Sequence, residues 1–216
     1  MRRHCIRTDS GQEKIATGEG MARKARVERK TSETNIRILL DLDGTGKGRI
    51  DTTIPFLDHM LTLTARHGLF DLTVKGSGDT DVDDHHLVED IGICLGRAFR
   101  EALAGKQGIS RYGSATVPMD ESLASVHLDI SGRSCLAYDA RFGTRRIKTF
   151  DLALIREFFH AFADAGGITL HVRVLYGKNN HHMAEAIFKA GALALRQATL
   201  RSGDPTRIPS TKGVLA

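Results

Sequence analysis

The sequence has no tryptophan, only 6% aromatic residues, three cysteines and four prolines. So few aromatics leave little material for the stacking platforms that hold single-stranded nucleic acid, and no nucleic-acid partner is expected. Cys5, Cys94 and Cys135 are odd in number and stand at unrelated spacings, which excludes a disulfide framework and a zinc ribbon. Cys94, inside the apolar run IGICLG, reads as a packing residue. No uninterrupted apolar stretch is long enough to cross a bilayer, and the first twenty residues hold no apolar segment of the kind a secretory leader needs. No membrane partner is expected, and a reducing cytoplasm is the expected compartment.

What is present points to a folded protein that binds something anionic. The 216 residues are 41% hydrophobic, enough for one large domain or two small halves around a sizeable core. A formal charge of +5 favours anionic partners, and with nucleic acid set aside a phosphorylated small molecule fits best.

Residues 1–21 are polar and charged, without a hydrophobic period, so an arm that does not dock on a core is predicted there; Met21 would also begin a plausible shorter chain. From Val27 the texture changes. ETNIRILLDLDGTGKGRIDTTI predicts two strands joined by a Gly-rich hairpin tip. DGTGKG is not a Walker loop, which needs GxxxxGK[ST] between a strand and a helix. Next, Leu57, Met60, Leu61 and Thr64 recur at helical spacing up to a stop at Gly68. A strand is predicted at DLTVKG, followed by the acidic GDTDVDD and a long helix to about Ala104. The acidic run is not a calcium loop, because its sixth position is Asp84 where Gly is needed and its twelfth is Asp90 where a bidentate Glu is usual.

The second half repeats the plan. SVHLDISGRSCLAYDARF predicts two strands, DLALIREFFHAFADAGG a helix with a Gly stop, GITLHVRVLYG a strand and NNHHMAEAIFKAGALALRQA a long helix. His181 follows His85 by 96 residues, and at that offset Glu185 matches Glu89, Ile168 matches Leu72 and Leu170 matches Val74. The reading is an α+β fold built by internal duplication, each half a small sheet with two helices, the halves sharing a helical layer. The expected organisation is an arm over 1–21, halves over 22–112 and 113–202, and an extended, Pro-punctuated tail over 203–216.

The repeated element is His-His-x-x-Glu, at DDHHLVE and NNHHMAE. Residues four apart share a helix face, so His85 and Glu89 can reach one ion while His86, rotated by about 100°, points elsewhere. The same holds for His181, Glu185 and His182. If the motifs meet by pseudo-twofold symmetry, His85, Glu89 and His182 form one site, and His181, Glu185 and His86 the other. A single HHxxE is more often an exposed or helix-capping histidine pair than a metal site, but its recurrence in register points to metal. Imidazole and carboxylate without thiolate suit Mn, Fe, Co, Ni or Zn. His59 and His171 could approach these sites, although the repeat alone does not place them. His4, His127 and His160 show no partner in the sequence.

ETNI, FLDHML, RHG, DDHHLVEDIG, RYG, PMDESL, LDISGR, TLHV, GKNNHHMAEAIFKA and PSTKG, in order from about Arg26 to Leu215, resemble the imidazoleglycerol-phosphate dehydratase family of histidine biosynthesis. The resemblance implies a duplicated fold like ribosomal protein S5 domain 2, Mn²⁺ as cofactor with two ions per active site, and a 24-subunit assembly of trimers with active sites between subunits. It implies one ion on His59, His86, His181 and Glu185, and the other on His85, Glu89, His171 and His182. It further implies that Arg111, Arg133, Lys189, Ser210, Thr211 and Lys212 lie near the substrate phosphate, a role suited to Arg forks and a Ser-Thr-Lys tail. Taken singly, Arg111 and Lys189 also read as solvated charges, Arg133 as a hairpin-tip charge and the tail as a free end. Glu33 and His67 resemble substrate-contacting positions and are the acid/base candidates; Glu33 could instead pair with a neighbouring Arg. One departure is DTTIP, where the family usually has Gly in place of Thr53, which puts the local turn in question.

The implied reaction takes hydroxyl from the ring-attached carbon and hydrogen from its neighbour, which adjoins no carbonyl. Electron push must then come from the imidazole ring, and metal coordination would make its imidazolate reachable at neutral pH. Two other classes use the same ligands: a dimetal hydrolase of a phosphorylated small molecule, and a metal-buffering protein with no substrate.

Overall fold

Alternation of apolar and polar residues along KARVERK and TNIRILLD makes two antiparallel strands, β1 (Lys24–Lys30) and β2 (Thr34–Asp41). They open the computed structural model, which describes residues 22–204, 206–213 and 215. The arm predicted over 1–21, with His4 and Cys5, lies outside the described residues. The first sheet is completed by β3 (Gly48–Asp51) and β4 (Asp71–Gly78) in the order β1-β2-β4-β3. The second has the same plan, β5-β6-β10-β7, from β5 (Tyr112–Met119), β6 (Ser122–Asp129), β7 (Cys135–Asp139) and β10 (Thr169–Tyr176); β8 (Arg146–Ile147) and β9 (Phe150–Asp151) form a small separate hairpin. The helices are α1 (Pro55–Gly68), α2 (His85–Leu103), α3 (Leu154–Gly166) and α4 (Asn180–Thr199). Across the halves, α2 packs on α3 and α1 on α4, while α2 covers β1 and β2 and α4 covers β5 and β6. The helices thus form the shared layer that the duplication predicts, with the alternating inward residues of both sheets against it.

Two predicted hairpins are crossovers instead. β2 and β3 are not paired, because β4 lies between them, and β10 separates β6 from β7 in the same way. The Gly-rich turn is held by Asp71, whose Oδ1 accepts from the Thr45 and Lys47 amides at 2.8 and 3.0 Å. Those amides, the groups a phosphate loop would offer to an anion, are spent on a carboxylate of the chain itself. They also lower the Asp71 pKa from its ordinary range. The sequence reading missed β1 as a separate strand, β5, and the β8–β9 hairpin. Pro118 within β5 is tolerated because β5 is an edge strand.

Pairing also fixes the internal equivalence. One rung of the first sheet runs Ala25–Leu40–Leu72–Gly48, and its counterpart in the second runs Gly113–Leu128–Leu170–Leu136. Leu72 therefore corresponds to Leu170, an offset of 98 (170 less 72), whereas the helical motifs keep 96. The stretch from Leu170 to His181 is two residues shorter than that from Leu72 to His85, and β10 carries an irregularity between Val174 and Tyr176. A two-residue slip leaves the apolar face of a strand unchanged, so the sequence pattern could not detect it.

Close approach of α2 to α3 depends on Gly92 and Gly96, one turn apart. A Cβ on Gly96 would lie 2.4 Å from the Phe162 carbonyl oxygen and 2.8 Å from the Gly166 nitrogen. At the entry to α1, Asp58 Oδ1 accepts from the backbone and hydroxyl of Thr52 at 2.8 and 2.6 Å, and Pro55 opens the helix. Thr53, where the resembling family usually has Gly, sits at φ 63°. The turn is kept and a β-branched residue is forced into the left-handed region. Thr53 is exposed, so Thr53→Gly sacrifices little packing. Relief of about 1–2 kcal/mol, less about 0.5–1 kcal/mol of added backbone freedom, predicts a net gain of roughly 0.5–1 kcal/mol, read as a raised urea midpoint; a lowered midpoint would contradict the strain.

Candidate active site

The second HHxxE motif opens α4, where the Asn179 side chain caps the helix by accepting from the His181 amide at 2.9 Å. One turn on, Glu185 is 7% exposed, and its carboxylate is the hub of the site. His181 Nε2 lies 3.1 Å from Oε1, and His59 Nε2, from α1, lies 2.7 Å from the same oxygen. Lys189 Nζ donates to Oε2 at 2.6 Å. Burial pushes the Glu185 pKa up, but Lys189, His59 and His181 outweigh it and hold it at about 2. His59, His181 and Glu185 each offer a ligand atom within 4.8 Å of the others, the one such group of three among the described residues. Two imidazoles and a carboxylate fit a borderline or hard divalent cation. His67, half-buried on α1, has its pKa lowered by burial and then by the nearby Lys189.

The remaining predicted ligands are not gathered within the chain. His85 Nε2 and Glu89 Oε2 stand 4.0 Å apart on the first turns of α2, sharing a face as helix geometry requires. His86 turns away from them: its Nδ1 lies 3.0 Å from Asp79 Oδ2 and 4.0 Å from Glu33 Oε2. His182 likewise turns from Glu185 and places Nδ1 2.7 Å from Glu121 Oε2. Asp79 raises the His86 pKa and Glu121 raises that of His182. His171 is exposed on the outward face of β10, directly across from His127 on β6. His127 is not without partners, since Ser114 Oγ and Ser125 Oγ lie 2.8 Å from its two ring nitrogens. Glu33 stands in the turn before β2 beside His86, with no Arg partner among the described residues.

Five of the six predicted phosphate residues line one open cavity of about 770 Å³: Arg111, Arg133, Ser210, Thr211 and Lys212. The tail is not extended as predicted. It is docked through turns, with Gly108 N donating to the Arg207 carbonyl at 2.9 Å and Gly213 N to that of Ser210 at 3.1 Å. Arg111, at φ 71°, is the brace: it forks onto Asp129 at 2.7 and 3.0 Å and donates from Nη1 to the Pro209 carbonyl at 2.7 Å. Arg133 is exposed and carries no salt bridge among the described residues. Lys189 stands apart from this cavity, on Glu185. The sequence reading gave no role to Glu121 or Asp79; Asp79 stands shortly before the His-His opening of α2, whereas Glu121 sits in the turn between β5 and β6, where no local spacing links it to His182.

The family model for imidazoleglycerol-phosphate dehydratase matches residues 52–195. A protein of that name from Syntrophus aciditrophicus (strain SB) is 58% identical over 194 residues, 89% of this chain and 98% of the relative. Another from Geobacter sulfurreducens is 55% identical over 195 residues, 90% of this chain and all of the relative. Among solved structures, imidazoleglycerol-phosphate dehydratase from Staphylococcus aureus superposes with a TM-score of 0.75 at 37% identity, covering 83% of this chain and 99% of that one. The Pyrococcus furiosus protein, in complex with (S)-C348, superposes at 0.76 with 39% identity, covering 88% and 100%.

Proposed function

The chain belongs to the imidazoleglycerol-phosphate dehydratase family, and we propose that it is the manganese-dependent hydro-lyase of histidine biosynthesis, converting D-erythro-1-(imidazol-4-yl)glycerol 3-phosphate to 3-(imidazol-4-yl)-2-oxopropyl phosphate. The observation that carries this reading is the division of ligands: His59, His181 and Glu185 converge within one subunit, while His85, Glu89, His86, His171 and His182 stand apart from that group. Two manganese ions would then be completed between subunits, one by His59, His86, His181 and Glu185, the other by His85, Glu89, His171 and His182. Bound there, the ions would supply positive charge to the imidazole nitrogens of the substrate. A trimer-based 24-subunit particle follows as part of the same reading. So does a cytoplasmic setting, which suits the exposed free thiol of Cys135; among the described residues no helix is long and apolar enough to cross a membrane.

The chain's own groups do the rest. Arg133, Ser210, Thr211 and Lys212 hold the phosphate, with Arg111 pinning the tail that carries three of them and offering its remaining N–H groups to the anion. Lys189 adds its charge beside Glu185. Glu33 and His67 are the proton carriers: between them they take the proton from the carbon next to the ring-attached carbon and deliver one to the departing hydroxyl, which leaves as water, and the resulting enol becomes the ketone. Glu33→Gln should lower kcat about 10²–10⁴-fold with Mn²⁺ stoichiometry unchanged; turnover within a few-fold of the parent would remove Glu33 from this role. The direct test incubates Mn-loaded protein with the substrate and follows an enolisable ketone. Release of inorganic phosphate instead would favour the dimetal hydrolase.

A further inference from the structure

The sheet register that equates Leu40 with Leu128 and Ala25 with Gly113 also equates the tips of the first hairpins of the two halves. Lys30 faces Asn35 in the first, and Pro118 faces Leu123 in the second. Glu33 and Glu121, each two residues before the second member of those pairs, therefore occupy the same position, each a carboxylate at the tip of a hairpin beside the second histidine of an HHxxE motif. The two have diverged. Glu121 Oε2 lies 2.7 Å from His182 Nδ1, and its Oε1 accepts from the Lys178 and Asn179 amides at 3.1 and 2.7 Å and from Ser122 Oγ at 3.0 Å. Its carboxylate therefore ties the entry of α4 and the ring of His182 to one hairpin. Glu33 Oε2 stays 4.0 Å from His86 Nδ1, and Asp79, just beyond β4, takes that nitrogen at 3.0 Å instead.

We infer that Glu121 and Asp79 are positioning residues for the metal sites: by accepting the Nδ1–H of His182 and His86, they fix the tautomer that leaves Nε2 as the lone-pair donor. A histidine ligand held through its other ring nitrogen by a carboxylate is both oriented and made more basic. The substitution of Asp79 for Glu33 in the first half has a second consequence. It frees Glu33 from the structural duty that Glu121 performs and leaves it available for proton transfer. The inference rests on the metal-site reading above, for His86 and His182 as ligands, but it is read out by ion binding and not by turnover.

The test titrates Mn²⁺ into metal-stripped parent, Glu121→Gln, Glu121→Asp and Asp79→Asn proteins, measuring free Mn²⁺ by electron paramagnetic resonance. Glutamine keeps an acceptor for the Lys178 and Asn179 amides but turns an amide donor toward His182, which disfavours the needed tautomer. Glu121→Gln and Asp79→Asn should each weaken one class of Mn²⁺ site by about 10–100-fold and leave the other near the parent value, with apoprotein unfolding little changed. Glu121→Asp, which restores an acceptor, should recover part of the loss. Parent-like affinity at both classes in Glu121→Gln and Asp79→Asn would overturn the inference, as would a loss that Glu121→Asp does not relieve. Should Glu121→Gln fail to fold, Asp79→Asn decides, because among the described residues the Asp79 carboxylate hydrogen-bonds only with His86. If the parent binds Mn²⁺ in two classes yet yields no ketone, the dehydratase reading falls while this one is still judged by the titration.

Discussion

Stripping the metal is expected to abolish turnover and to break a large particle into trimer-sized pieces. The reason lies in where the ligands stand. Among the described residues only His59, His181 and Glu185 meet within the chain. His85 and Glu89 form a pair 4.0 Å apart, and His171 faces outward from β10, so on the proposed reading another subunit would complete their site. Metal-binding free energy is then also association free energy, because an ion that bridges subunits stabilises the assembled state alone. Size exclusion with light scattering, before and after chelation, should show the shift, and restoring Mn²⁺ should reverse both losses. A particle of unchanged mass after verified metal removal would place the ligands within single subunits or leave assembly to other contacts.

Replacing Glu185 with Ala is expected to have the largest effect of any single substitution on catalysis. Glu185 is the buried member of the triad and the contact of His59, His181 and Lys189 together. Its removal takes away the one carboxylate of that site and leaves the Lys189 ammonium without its Glu185 partner beside the two imidazoles, a positive charge that opposes a divalent cation. Loss of metal assistance worth several kcal/mol, at 1.36 kcal/mol per decade, predicts a fall in kcat/KM of roughly a thousandfold or more. Glu185→Gln preserves the volume and an acceptor oxygen but not the charge, so it should fall between. Comparison of both variants at saturating Mn²⁺, with circular dichroism to confirm the helix, separates loss of the ion from loss of the fold. Activity of Glu185→Ala within tenfold of the parent would sink the assignment.

Much of the site could be read in the chain because helix geometry is local. His181 and Glu185, four residues apart, had to share a face, and His182, one residue on, had to turn away from them. The same logic held for His85, Glu89 and His86. It also made Lys189 a neighbour of Glu185, four residues further along the same helix, although the residue was grouped with the phosphate ligands. His59 was different. No spacing connects it to Glu185, and the repeat gives it no counterpart; the packing of α1 on α4 brings them to 2.7 Å. The tail shows the same limit, since Arg111, which braces it through the Pro209 carbonyl, is distant from it in the chain.

The sequence by itself determined the four helices and the pairing of His85 with Glu89 and His181 with Glu185, because each depends on local helical periodicity, and it determined the two-fold plan because the motif and its flanking elements recur in order along the chain. The tertiary structure alone decided which strands are neighbours. A Gly-rich turn between two strands suits a hairpin and a crossover equally well, and only hydrogen bonding across the sheet inserts β4 between β2 and β3, and β10 between β6 and β7. It alone decided that Glu121 and Asp79 reach His182 and His86, for those contacts follow from strand register, which a side-chain period of two leaves free to slip.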